Sequence, residues 1–172
     1  TRFASLRNAR PLSPITLILM TIAFVLYVDN TTFWSIGKGV FDGHTVSFAG
    51  YSLAVFFLTL AAFSFFGFPW LVKPFLIFIL VLSAVTSYYM DSLGVIIDRD
   101  MIQNVMVTTL TESKHLITLG FASHVFFYGI LPALVVTSVK IKPQGMIRTI
   151  AVPVITFAVS LALAAGLLMA DL

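Results

Sequence analysis

Residues 98–115 read DRDMIQNVMVTTLTESKH and gather acids, bases, amides, hydroxyls and a histidine between long runs of Phe, Leu, Val and Ile. These residue types suit a zwitterionic headgroup. A carboxylate such as Glu112 pairs with an ammonium group, the Asn104 amide binds phosphate or hydroxyl oxygens, and Lys114 or Arg99 neutralises phosphate. In one continuous helix, Asn104, Thr108, Thr111, Glu112 and His115 recur at i, i+4, i+7, i+8 and i+11, with Gln103 adjoining, and form one polar face. Asp100 is placed to cap a helix starting at Met101, and Thr109 with Glu112 fits a capping box, which argues for a break near 109. A plainer reading also fits: an interfacial loop whose polar groups are wet and whose Glu112 only caps a helix. Spacing alone leaves both open.

The elements that must position these residues follow from composition. Hydrophobic residues make up 59% of the chain and charged residues 10%, with a mean hydropathy of +1.05. Soluble domains carry about 25% charged residues, so the chain is read against the bilayer. The fold class is an all-α membrane protein with five transmembrane helices, over residues 14–34, 48–68, 71–90, 116–139 and 149–170, each near the ~20 residues a crossing needs. An amphipathic, interfacial helical segment on the outer side lies between the third and fourth, and 1–172 forms a single transmembrane domain. Residues 15–28 are too long and too apolar for a cleaved leader and read as a retained anchor. The net charge of +3 comes from bases scattered among apolar segments, which argues against nucleic acid and for membrane orientation. With no cysteine, the chain has no disulfide, thiolate metal site or thiol nucleophile.

With a cytoplasmic N-terminus, Arg2, Arg7, Arg10, Lys73, Lys140, Lys142 and Arg148 all fall inside, against Lys38, Arg99 and Lys114 outside. All seven acids then lie on the outer side, and five crossings put the C-terminus there too. Pro14 opens the first helix, GFPWLVKP (67–74) makes a tight turn, and KIKPQGMIR (140–148) a short basic loop. His124, inside the fourth segment, reads as a histidine hydrogen-bonded to a neighbouring helix or close enough to the outer face to be wet. His44 and Lys38 read as solvated surface. Ala162 and Gly166 make a small-xxx-small pair suited to close helix packing.

YYMDSLGVIIDRDMIQNV, followed by TTLTES, resembles the membrane domain of the lipid A phosphoethanolamine transferases, the family of the mobile colistin-resistance enzymes. Gly94, Val95, Asp98, Met101, Gln103, Asn104 and Glu112 stand at the positions of that pattern, and the KIKP loop and five-span plan extend the resemblance over essentially the whole chain. Where members often carry an acid after the Asn-Val run, this chain has Met106, Val107 and Thr108. The resemblance implies a bacterial inner-membrane enzyme that moves phosphoethanolamine from phosphatidylethanolamine to lipid A and so confers polymyxin resistance. It implies that the nucleophilic Thr and zinc belong to a separate periplasmic catalytic domain outside residues 1–172, that no catalytic or metal-binding residue lies within them, and that they are inactive in isolation. Asn104 and Glu112 are the substrate-pocket residues it transfers, with Gln103, Thr108, Lys114 and His115 as lesser candidates. The partners implied are phosphatidylethanolamine, lipid A and the catalytic domain. The rival reading is a complete, non-enzymatic five-span interaction or assembly protein. A transporter fits poorly, because the spans hold few polar groups and show no inverted repeat.

Overall fold

The computed structural model describes residues 11–41, 43–94 and 118–170, and these are almost entirely helical. Among the described residues seven α-helices follow one another: α1 (Pro14–Tyr27), α2 (Thr31–Val40), α3 (Thr45–Ser64), α4 (Val72–Leu93), α5 (Leu119–His124), α6 (Leu131–Ser138) and α7 (Met146–Ala170). A π-helical turn, Val125–Ile130, joins α5 to α6 into one 20-residue rod, Leu119–Ser138. That rod, α3, α4 and α7 are each long and apolar enough to cross a bilayer. The pair α1 and α2 makes a fifth crossing if taken together, although its two halves meet at 66°. The chain is therefore an integral membrane protein. Its outer surface is apolar, with Leu134, Val154 and Phe78 each about 60% exposed, as expected where the surroundings are hydrocarbon.

α1 and α4 form the centre. Pro14, Leu17, Ile18, Thr21, Ile22 and Val25 are buried on α1 at the 3–4-residue spacing of a single stripe. On α4, Val72, Leu76, Leu80 and Ala84 continue the buried core at four-residue steps. α3 lies against α1 and carries α7 on its far side, while the Leu119–Ser138 rod packs along α4. α7 meets α3 through Pro153, Ser160 and Ala164. Ala162 and Gly166 sit on the opposite, exposed face, and nothing lies within 4 Å of where a Gly166 side chain would begin. Among the described residues the expected close packing through that pair is not made, because the helix turns its other small residues inward.

Helix ends are set by local chemistry. The Ser13 hydroxyl accepts from the Thr16 N–H at 3.1 Å, and Pro14, with no N–H to lose, fills the first turn of α1. α4 stops at Gly94, whose φ of 64° lets its N–H close back on the Met90 carbonyl at 2.8 Å. Thr118 starts the fourth span by accepting from the Phe121 N–H. The π turn directly precedes Pro132. Proline cannot supply the N–H that α-helical bonding would require there, and its ring crowds the turn below, so the chain widens to i→i+5 bonding, with Leu131 N–H reaching Phe126 O.

One end of the bundle is tied by the backbone. Leu12 N–H donates to Lys140 O and Lys142 N–H to Leu12 O, both at 2.9 Å, and Lys73 Nζ reaches Thr137 O at 2.9 Å. The basic residues at 73, 140 and 142 thus share an end, opposite the one holding Asp29, Asp91 and Thr118. The wide turn also lets Gly129 press onto α4, where an added methyl would meet the Ala84 Cβ at 3.1 Å and the Val81 Cα at 3.3 Å. Gly129→Ala is expected to lower stability by about 1–3 kcal/mol, read from the unfolding midpoint in detergent, with Ala84→Gly recovering part of the loss. A Gly129→Ala protein as stable as the parent would contradict this close approach.

Candidate functional site

The chain breaks at 28–30, between α1 and α2. A helix that ends inside a bilayer leaves carbonyls that must find donors, and here side chains supply them. Asn30 Nδ2 donates to Val25 O at 2.7 Å, and the Trp34 indole N–H donates to Leu26 O. Trp34 stacks on Tyr27 at 5.5 Å, which fixes the angle between the two helices. The break turns Asp29 inward, where it is 3% exposed and is the buried ionisable residue of the described core.

Three polar side chains meet Asp29. The stripe that buries Leu76 and Leu80 on α4 continues through Ser83 and Ser87, so both hydroxyls point into the bundle. Ser83 Oγ donates to Asp29 Oδ2 at 2.5 Å, and Ser87 Oγ donates to Oδ1 at 2.9 Å. Asn30 Nδ2 stands 3.4 Å from Ser83 Oγ. At the end of α5, His124 Nε2 lies 3.0 Å from Ser87 Oγ and 3.7 Å from Asp29 Oδ1. Tyr128 stacks on the imidazole at 4.6 Å, and the Tyr88 ring meets it at 5.6 Å. Two flanking bonds complete this end of the bundle: Thr32 Oγ1 donates to Asp91 Oδ1 at 2.5 Å, and the hydroxyls of Tyr88 and Thr118 lie 2.9 Å apart. Among the described residues no buried side-chain nitrogen or oxygen lacks a partner.

This arrangement can hold a proton order and lock three spans together. Among the described residues, no three His, Asp or Glu side chains converge. An apolar groove of about 310 Å³ along α1 and α6, lined by Leu17, Met20, Phe24, Leu131 and Val135 among others, offers no ionisable group for chemistry.

The residues singled out in 98–115, namely Gln103, Asn104, Thr108, Glu112, Lys114 and His115, lie outside the described residues. The described stems of that stretch, Gly94 and Thr118, both belong to the polar end of the bundle. His124 hydrogen-bonds to a neighbouring helix, as its sequence context led us to expect. His44 and Lys38 are exposed, in keeping with solvated surface. Asp29, Ser83 and Ser87 were not among the sequence candidates. Their signal was available in the two serines, which continue the apolar stripe of α4 in phase.

If Asp29 is the shared acceptor, its removal takes the 2.5 Å acceptor from Ser83 and leaves Ser87 the longer 3.3 Å bond to the Ala84 carbonyl. Asp29→Ala is expected to cost about 2–4 kcal/mol, against about 0.5–1.5 kcal/mol for Ser83→Ala or Ser87→Ala, measured from unfolding midpoints in detergent. Equal losses for all three variants would contradict the shared-acceptor geometry.

Comparison with known proteins assigns the scaffold. Residues 55–172 match the family described as "Phosphoethanolamine transferase EptA/EptB". The chain is 30% identical over 157 residues to the phosphatidylethanolamine transferase Mcr-2 of Escherichia coli and 29% identical over 163 residues to Mcr-1 of the same organism, covering 88% of this chain and 29% of each relative. Its fold superimposes on the integral membrane protein lipooligosaccharide phosphoethanolamine transferase A (EptA) from Neisseria meningitidis with a TM-score of 0.81 at 28% identity, over 91% of this chain and 30% of that one. The chain thus spans about three-tenths of the length of these relatives, the part formed by their membrane helices. It belongs to the EptA/EptB family of phosphoethanolamine transferases and corresponds to that family's membrane domain.

Proposed function

We propose that this chain is the membrane domain of an enzyme that transfers phosphoethanolamine from phosphatidylethanolamine to lipid A in the bacterial inner membrane, conferring resistance to polymyxins such as colistin. The observation that carries this reading is the superposition on the Neisseria EptA membrane helices over 91% of the chain. The membrane domain anchors the enzyme and presents the donor headgroup, while a periplasmic catalytic domain beyond residue 172 supplies the nucleophilic Thr and zinc. In isolation, residues 1–172 are expected to be inactive.

Asn104 and Glu112 are the residues we assign to the donor pocket, the carboxylate for the ammonium group and the amide for phosphate oxygens. Gln103, Thr108, Lys114 and His115 line the same stretch. Transfer of this kind depends on positioning and electrostatic stabilisation, so residues outside the nucleophilic domain still set the rate. The N-terminus is cytoplasmic and the C-terminus periplasmic, a topology supported by the basic residues gathered at the Lys73–Lys140 end of the bundle.

Two experiments test this reading. In the full-length protein, Glu112→Ala and Asn104→Ala are each expected to lower lipid A modification by about 10-fold or more, scored by mass spectrometry of lipid A and by survival in polymyxin. Wild-type levels of modification in both would refute the pocket. For topology, residues 1–172 hold no cysteine, so single labels in a protein of these residues are clean. His44→Cys is expected to react with a membrane-impermeant thiol reagent added outside spheroplasts, and Lys142→Cys only after lysis. The reverse pattern would invert the orientation.

A further inference from the structure

The hydrogen bonds of the buried cluster share a few protons among several oxygens and nitrogens. Ser83 Oγ has one acceptor in reach, Asp29 Oδ2 at 2.5 Å, and Asn30 Nδ2, at 3.4 Å, can only donate to it. Ser87 has a single proton and two oxygens to give it to, Asp29 Oδ1 at 2.9 Å and the Ala84 carbonyl at 3.3 Å. When Ser87 gives its proton to either oxygen, the 3.0 Å contact between Ser87 Oγ and His124 Nε2 is made by the tautomer whose ring nitrogen donates. Two arms then converge on one carboxylate, Asn30 to Ser83 to Asp29 and His124 to Ser87 to Asp29. They draw together the α1–α2 junction, α4 and α5. The imidazole is fixed by this bond at one nitrogen and by the stacked Tyr128 ring, while Nδ1 has no partner among the described residues.

The tie sits in a telling place. Ser87 lies about two helical turns before Gly94, where α4 ends, and His124 under two turns after Thr118, where the next span begins. The bond between them therefore sets the spacing and rotation of the two stems that leave the bundle at its polar end. Tyr88, the neighbour of Ser87 on α4, adds a second link, to Thr118 at the start of the next span.

We infer that Asp29, Ser87 and His124 are positioning residues for phosphoethanolamine transfer: by holding the stems at Gly94 and Thr118 in one register, they fix where the lipid donor is presented. This rests on the function proposed above and adds residues that neither touch the donor nor belong to the pocket assigned there. Misplacement by about 1 Å costs up to ~100-fold in rate, so a loosened stem is felt at the reaction without any lost substrate contact.

The test uses the full-length protein in phosphatidylethanolamine-containing proteoliposomes with lipid A as acceptor, normalised to the folded amount. His124→Gln returns an N–H donor near the position of Nε2, His124→Asn places its amide nearer Nδ1, and His124→Leu keeps bulk without a donor. A hydrogen-bonded register predicts that Gln retains at least about half the parental kcat/KM, while Asn and Leu fall about 10- to 100-fold. Ser87→Ala, which removes one oxygen atom and no bulk, is expected to fall about 3- to 10-fold, and it decides the matter if Leu or Asn does not accumulate. Parental activity in His124→Leu or Ser87→Ala, or a Gln variant as poor as Leu, would overturn the inference. A parent that transfers nothing, in membranes where Mcr-1 does, would instead refute the proposed function itself.

Discussion

A carboxylate enclosed by a membrane bundle governs much of what surrounds it. An ionised or hydrogen-bonding group in hydrocarbon is costly unless its partners are built in, so placing Asp29 at 3% exposure imposes demands on three other segments. α1 must end early, and its freed carbonyls must be taken by Asn30 and Trp34. α4 must interrupt its apolar stripe with serines at 83 and 87. The fourth span must deliver His124 to the same point, close enough to bond Ser87. The π turn ahead of Pro132 and the close seat of Gly129 on Ala84 accompany that approach. These features are one constraint seen from different helices.

The two ends of the bundle are held by different physics. At the basic end, backbone pairing between Leu12 and residues 140–142 and the Lys73 contact close short turns. At the acidic end, side chains do the joining, through Asp29, Asp91, Tyr88 and Thr118. The Asp29 ties are buried and directional, so they suit an end whose geometry must be reproduced accurately. In the transferase reading, that is the end at which a lipid headgroup is handed to a catalytic domain.

Much of this was legible in the chain. Composition and the lengths of the apolar runs gave the class, and the partition of bases and acids anticipated which loops share an end. The break near Asp29 was not legible, because Asp29 and Asn30 follow an apolar run and read equally well as the wet edge of a span. Only the demand for buried partners distinguishes the two, and those partners lie more than fifty residues away. Ser83 and Ser87 were readable in principle, since they fall in phase with Leu76 and Leu80. An inward serine also satisfies its own helix carbonyl, however, as Ser64 does with Ala61, so phase alone does not announce a network. Asn104 and Glu112, proposed for the headgroup, came from residue type and resemblance, and lie outside the described residues.

The claim at the centre is that the Asp29 network fixes the stems of α4 and α5 relative to each other. Nitroxide labels at Ser92→Cys and Leu119→Cys, both exposed positions in a chain without cysteine, report that distance directly by pulsed electron resonance in lipid nanodiscs. The account predicts a single narrow distance in the parent that broadens or shifts when Asp29→Leu is added, with the helix content unchanged. An identical, equally narrow distribution in the two proteins would contradict it.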